Sequence, residues 1–448
     1  RIRGARFGAH GRERSERMKR RFLALVLAGC LAAVLSTAAW ATSPTAVSTA
    51  DELTAALGNA AVTSIQLTGN IDISSTLVVT KDVTLDLNGF VLKITGSGSV
   101  IKIESGTLTL VDSNTSAEHK FTDDNGLWKL DDNGDKVVKG GVITGGTGST
   151  YTYGNSFTVT YRDCGGGVFV APGASFVMEG GNIVGCSAGK SGGGGVKVTN
   201  DGDFKMSGGT ISGCIARNGG GLRNEGTATL SDTAKIESCR ATGTESDDHG
   251  GGVCSYRNLT VSGSMVISGC TAQNNNSYAM YVTTGYPDAR SSIEGGTFDG
   301  SVWLDHSSSG KITVSGGTFK NGVSGAWTVM FNTNGGTPEP ESQIRANLPA
   351  TKPDDPTKEG YNFGGWYTDE AFTTEYTFTE SEKVTQALTL YAKWTKEAAK
   401  YYYYSPADGS ADTAKGSPKT FDAGVGVYVG MVVMSVSGSA VVLGKKRK

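Results

Sequence analysis

Few side chains in this 448-residue sequence have the types and spacing that chemistry needs. Asp247-Asp248-His249 and Asp305-His306 set carboxylates beside an imidazole. A glycoside hydrolase would need paired carboxylates on one face, spaced as acid and base or nucleophile. A polysaccharide lyase would need clustered carboxylates holding calcium near an Arg or Lys base. Neither set is complete: the first pair of acids falls in a loop before Gly250, the second is isolated, and both read as solvated turns. Asp131, Asn133 and Asp135 imitate the start of a calcium loop, but Lys136 stands at its sixth place and Val142 at its twelfth, where Gly and an acid are required. Gly185 and Gly189, followed by Lys190-Ser191, are separated by three residues where a phosphate loop needs four. The expectation is no catalytic residue, no metal and no cofactor.

Cysteine is the next reactive group. Of seven, Cys30 falls in an apolar leader, while Cys186, Cys214, Cys239 and Cys270 each end an Ile-x-x-Cys unit, at intervals of 28, 25 and 31 residues. Six remaining cysteines in an exported chain suggest disulfides. In-register neighbours on parallel strands point the same way, however, which is poor bridging geometry. A ladder of small buried thiols is favoured over disulfides. No His accompanies the column, so a metal knuckle is not expected.

The elements that must position these groups announce themselves by repetition. Gly-Gly-Gly followed by an apolar residue occurs at Gly165–Val168, Gly193–Val196, Gly219–Leu222 and Gly250–Val253, and each alternates with one of the cysteine units. Between them lie short strands such as Phe176-Val177-Met178 and Phe204-Lys205-Met206, apolar at alternate positions. A unit of about 25–30 residues cannot bury its own apolar side, so neighbours must stack and share one core. Strands winding coil upon coil form parallel ladders about 4.8 Å apart. Alternation sends Val168, Val196, Leu222, Val253 and Met280 inward, so Phe169, Lys197, Arg223, Cys254 and Tyr281 line up facing out. An aromatic and basic row of this kind could hold a glycan or acidic sugar; an ordinary strand face is the alternative.

These Gly-Gly-x-Ile-x-Gly and Gly-Gly-Gly-Val-x-Val patterns resemble the right-handed parallel β-helix repeats of pectate-lyase-like and bacterial adhesin proteins. The signature extends upstream through Ile65–Leu67 and Val83–Leu87, and downstream through Gly316–Phe319. About 275 residues at roughly 25 per coil give on the order of eleven coils, a rod about 50 Å long. Asp51–Leu57, with Leu53, Ala56 and Leu57 on one side, is expected to form a short helix over the open first coil. Phe121–Gly126 and Leu130–Asp135 each contain Asn-Gly and read as hairpins interrupting the rod.

Past Trp327 the pattern changes. Asn332-Thr333-Asn334-Gly335-Gly336, Gly364-Gly365-Trp366-Tyr367 and Leu390-Tyr391-Ala392-Lys393-Trp394 stand in the order of an internalin-type B repeat, also called the Listeria-Bacteroides repeat, which residues 327–395 resemble throughout. The resemblance implies a small β-grasp-like module of surface proteins, without a catalytic role. Phe331, Phe363, Trp366, Tyr391 and Trp394 are expected in or near its core. Residues 396–416, with Tyr401–Tyr404 followed by small polar residues, read as a flexible stalk.

Both ends carry export signals. Met18-Lys19-Arg20-Arg21, the apolar Phe22–Leu35 and Ala39-Trp40-Ala41 have the layout of a signal peptide cut before Thr42. Residues 1–17 read as upstream sequence. Leu27-Ala28-Gly29-Cys30 also matches a lipoprotein box, but the apolar run continues past Cys30. At the far end come Ser417-Pro418-Lys419-Thr420-Phe421, an apolar run from Val425 to Leu443 long enough to cross a bilayer, and Lys445-Lys446-Arg447-Lys448. This order resembles the wall-sorting signal of Gram-positive surface proteins, in which a sortase cuts after a Thr, here Thr420, and joins it to peptidoglycan. Ser417 and Phe421 stand where that motif usually has Leu and Gly. Without residues 1–41 and 421–448, which hold thirteen Lys/Arg and three Asp/Glu, the 41 basic and 43 acidic residues become 28 and 40, a net charge of about −12. Nucleic acid is therefore not an expected partner, and membrane is met only through the C-terminal segment.

The sequence thus predicts an all-β protein: leader in residues 1–41, right-handed parallel β-helix in 42–325, B-repeat module in 327–395, stalk in 396–416 and sorting signal in 417–448. The expected function is that of a wall-anchored, adhesin-like surface protein binding a glycan or a host or matrix protein. The alternative is a polysaccharide lyase or hydrolase on the same rod.

Overall fold

A computed structural model of the chain describes residues 43–153, 159–244, 249–273, 278–306 and 311–398. Three long all-parallel sheets dominate it. Sheet I has ten strands, from Thr45–Val47 to Lys311–Val314. Sheets II and III have nine each, running from Ile71–Ile73 to Thr318–Phe319 and from Leu77–Val79 to Val323–Ser324. Each coil gives one strand to every sheet in turn, as one β-helix. Alternation fixes which side chains fill the interior. On sheet III, Val168, Val196, Leu222, Val253 and Met280 are in register and wholly buried. On sheet I, Phe176 stacks on Phe204 with ring centroids 5.2 Å apart.

The glycine triplets mark where successive coils approach most closely. The first of each, Gly165, Gly193, Gly219 and Gly250, has φ between 59° and 74°, the left-handed region open to glycine. At the second a side chain would collide with the next coil: a Cβ on Gly194 would lie 2.5 Å from the Gly220 carbonyl oxygen.

Helix α1, Ala50–Gly58, closes the N-terminal end with Leu53, Ala56 and Leu57 buried. Thr49 caps it by accepting from the Glu52 amide, and Glu52 accepts in return from the Ser48 amide at 2.7 Å. Lys81 reaches across to the carbonyls of Ala56, Asn59 and Val62 at its other end.

The described residues make nine coils with a strand in all three sheets, fewer than the eleven expected. The difference lies in the third coil, which runs from the strand Thr107–Val111 through Val142–Thr144 to Val168–Val170 and carries two insertions. One is a three-stranded antiparallel sheet of Glu118–Asp124, Leu127–Leu130 and Lys136–Lys139. Asn125 and Gly126, at φ 56° and 92°, form its tight hairpin turn. Asn133-Gly134 does not make the second hairpin expected of it, because the strands on either side pair with Glu118–Asp124 and not with each other. Gly134 is instead needed where the connection crosses Phe121, whose backbone carbonyl would be 2.2 Å from a Cβ. This insertion covers the outer face of sheet II: Phe121, Trp128 and Val138 bury Val91, Val142 and Val184. Trp128 lies where a Cβ on Gly213 would meet its ring at 2.1 Å. The second insertion is a hairpin of Ser149–Tyr153 and Val159–Cys164.

Residues 327–396 form a four-stranded sheet ordered Gln343–Arg345, Trp327–Asn332, Leu388–Lys396, Tyr361–Tyr367, its two central strands parallel. Val329, Phe331, Trp366, Leu390 and Ala392 make its core, with Phe363 and Trp394 packed against them. Tyr391 is only half-buried, being out of phase with Leu390 and Ala392. The Asn-x-Asn-Gly-Gly block is a turn: Asn334 and Gly335 have φ 48° and 85°, and Gly336 leaves room for the Trp394 ring, which a Cβ would meet at 2.3 Å.

Candidate functional site

The outward row of sheet III runs in register through Lys102, Phe169, Lys197, Arg223, Cys254, Tyr281 and Trp303. Its residues do point away from the solenoid core, but they are not an open strand face. Phe169, Lys197 and Cys254 are completely buried and Tyr281 nearly so. Over Phe169 the cover is the hairpin of the third coil, whose Tyr151, Tyr153 and Tyr161 lie at centroid distances of 4.2, 6.1 and 6.0 Å, whereas Tyr281 is packed by His249, Tyr256 and Trp303. The expectation of a solvent-facing column is corrected accordingly: what reaches solvent is the half-buried edge of a second layer.

That second layer alternates rings and cations. Lys102 lies over Tyr151 and Tyr153 at 5.1 and 5.6 Å, Lys197 over Tyr161 at 5.4 Å, and Arg223 over Tyr256 at 4.8 Å. Farther along, Tyr281 packs edge-on against Tyr256 and Trp303, 6.1 and 5.1 Å away. Arg257 covers Tyr286, which is 46% exposed, at 4.2 Å.

The charges are neutralised from within. Glu225 forms an ion pair with Lys197 at 2.6 Å and accepts from Arg223 Nε at 2.8 Å. Burial pulls Lys197 down to about 8, the Glu225 carboxylate opposing the shift. Glu225 itself is held below its ordinary range by the two cations, against the effect of burial. Burial also pushes the Tyr153, Tyr161, Tyr256 and Tyr281 phenols up, so all four are neutral hydroxyls at physiological pH.

Sequence reasoning found Phe169, Lys197, Arg223 and Tyr281 but missed most of their neighbours. Lys102 and Trp303 could have been read off, since each follows an inward apolar residue in the same phase. Tyr151, Tyr153 and Tyr161 could not, because they lie off the repeat, and Glu225, two residues after Arg223 in the same coil, has no acidic counterpart in its neighbours.

Asp247 and Asp248 lie outside the described residues. His249 is buried, its ring 4.5 Å from Tyr281 and 5.0 Å from Trp303. Asp305 accepts from the Tyr281 hydroxyl at 2.9 Å, while exposed His306 sits 2.8 Å from the Gly325 carbonyl. In the calcium-loop mimic, Asp131 accepts from the Asn133 amide and Asp135 pairs with Lys136. Among the described residues no group of three or more His, Cys, Asp or Glu is placed to hold a metal ion.

Cys186, Cys214, Cys239 and Cys270 follow equivalent strands of sheet II in four successive coils, all buried and none in a disulfide. The Cys214 sulfur accepts from the Cys186 amide at 3.4 Å, and each thiol donates to the carbonyl two residues before it at 3.3–3.6 Å. The leader and Ser417, Pro418, Lys419, Thr420 and Phe421 lie outside the described residues, among which no helix is long and apolar enough to cross a membrane.

Known families define the class to which this architecture belongs. Residues 140–328 match the family described as "Right handed beta helix region", residues 44–161 "Putative pectate lyase-like adhesive domain", and residues 327–393 "Listeria-Bacteroides repeat domain". The chain is thus an all-β protein in which a right-handed β-helix carries a Listeria-Bacteroides repeat domain. It is 34% identical over 120 residues to a "Putative Gly-rich membrane protein" of Evansella cellulosilytica, covering 24% of this chain and 14% of that one. It is 44% identical over 68 residues to a "Putative membrane protein" of the same organism, covering 15% and 10%. The chain therefore spans a small part of either relative. The solved structure of L. reuteri 53608 SRRP, 13% identical, covers 62% of this chain and 99% of its own with a TM-score of 0.23, too low to carry an argument.

Proposed function

We propose that this chain is a non-catalytic, adhesin-like surface protein that holds a glycan along the ring-and-cation row of sheet III. The carrying observation is that the row's charged groups are already paired with one another, Lys197 and Arg223 with Glu225. Groups so engaged are poor proton shuttles. The rings' half-exposed edges remain for sugars to pack on, and Arg257 and Lys102, paired with Asp201 and Glu104, stand beside them for hydroxyl groups. The match to an adhesive domain supports the same reading. The Evansella relatives carry membrane-protein names, in keeping with a surface-associated chain.

In this reading residues 1–41 direct export, residues 396–416 form a stalk, and a sortase joins Thr420 to peptidoglycan. A host or matrix protein is the second ligand class. The test is a glycan and matrix-protein array probed with the full chain in chelator-containing buffer, beside an assay for new reducing ends on polyuronides. Retained binding without cleavage is expected. Calcium-dependent cleavage would sink the reading in favour of a displayed lyase.

A further inference from the structure

The module of residues 327–396 places its first and last strands side by side. Val329, Met330, Phe331 and Asn332 pair in parallel with Leu388, Thr389, Leu390 and Tyr391. The chain enters the first of these strands at Trp327, straight from the last coil, and leaves the second at Lys396. A pull on the coils from one side and on the chain beyond Lys396 from the other would drag the two strands past each other along their own axes. Hydrogen bonds loaded in that direction share the force and must fail together. Strands pulled from adjacent ends open one bond at a time.

Three further features suit this seam to load. Val329, Leu390 and Ala392 are fully buried along it, and Phe331 meets the Trp366 ring edge-on at 5.1 Å, which keeps water from replacing a stretched bond. Two side chains stitch it: the Trp394 indole donates to the Thr333 carbonyl and the Asn334 amide to the Ala392 carbonyl, each at 2.8 Å. Its entrance is also fastened to the solenoid. Gln343–Arg345 pairs with Trp327–Val329, while the adjoining Ala346 exchanges backbone hydrogen bonds with Val314, both at 3.3 Å. Arg345 donates to the Ser315 carbonyl and Asn347 to the Ile312 carbonyl, at 3.0 and 2.9 Å. Tension arriving through the coils therefore reaches the parallel pair instead of peeling Trp327 away first.

We infer that residues 327–396 are a force-bearing clamp, whose function is to carry tension between the β-helix and whatever holds the chain beyond Lys396. Its biological use rests on the tethered reading above; its mechanics do not. The test is single-molecule pulling on the full chain with paired handles at exposed positions. Handles at Lys320 and Glu397 load the seam in shear. Handles at Glu359 and Glu397 unzip the antiparallel pair in which Tyr361 faces Lys396. Rupture in shear is expected at a force at least about threefold higher, since forced unfolding follows the height of the unfolding barrier, and should release roughly 250 Å of chain at full extension. Equal forces, or a weaker shear geometry, would overturn the clamp. Fractionation of the producing cells tests tethering separately: a freely released chain that still showed the asymmetry would end the tethered reading and leave the mechanics standing.

Discussion

Lys197 and Glu225 meet at 2.6 Å, Nζ to Oε1, with the lysine side chain wholly shut off from solvent. Arg223 shares the same carboxylate, and the Tyr161 ring closes the site from above. Removing the one anion leaves two cations stranded, whereas removing Lys197 leaves a matched pair. Glu225→Gln should therefore cost about 3–5 kcal/mol of stability, and Lys197→Met clearly less. Urea unfolding followed by tryptophan fluorescence checks the order.

The same lysine sets a pH dependence. With its folded-state value drawn down to about 8, it gives up a proton in the native state before the unfolded chain does. Between that value and the ordinary lysine range the unfolded state holds more protons, so this group's contribution to stability rises with pH. Below about pH 8 it is constant. The stability difference between wild type and Lys197→Met should grow from pH 8 to 10 by at most about 1.4 kcal/mol per unit. A flat difference across that window would contradict the placement of Lys197.

Burial also governs two of the cysteines. It pushes the Cys164 thiol up to about 12 and Cys254 to about 11, and the six described cysteines are all unpaired and buried. At pH 8 alkylation of Cys164 and Cys254 in the folded protein should be at least about a hundredfold slower than in denaturant, each pKa unit costing tenfold in thiolate. Mass spectrometry after timed labelling reads this directly.

Trp128 and Gly213 make a coupled pair. Gly213→Ala should destabilise by about 1–3 kcal/mol, from the indole in its way and from its φ of 56°. In a Trp128→Ala background only the conformational part, about 1 kcal/mol, should persist. A double-mutant cycle in urea separates the two.

For the ring-and-cation row, Tyr286→Ala and Arg257→Gln remove groups at its outer edge that contribute little to the core. Each should weaken glycan binding about five- to tenfold, in line with about 1 kcal/mol for an exposed cation–ring contact. Unchanged melting temperatures would assign the loss to binding rather than folding.

Much of the solenoid was legible because its constraints are periodic. The triplets at Gly165, Gly193, Gly219 and Gly250, the Ile-x-x-Cys units and the α1 cap each follow from rules that act within one coil or between neighbours. Structure imposed by non-repeating segments was hidden. The third coil's insertions fall inside the span divided by the coil length, and their residues therefore inflate the expected number of coils. The hairpin bearing Tyr151 and Tyr161 gave no sign of where it would fold back, and Phe169 and Lys197 consequently read as open surface. Asn133-Gly134 misled because a turn signal records local geometry and says nothing about which strands then pair.

Both insertions leave from one coil, while Val142–Thr144 and Val168–Val170 keep their register with the strands above and below. That coil behaves as a socket. Two non-repeating segments are carried there without breaking the register of the stack, so one level of the scaffold presents a surface that the repeats alone do not make.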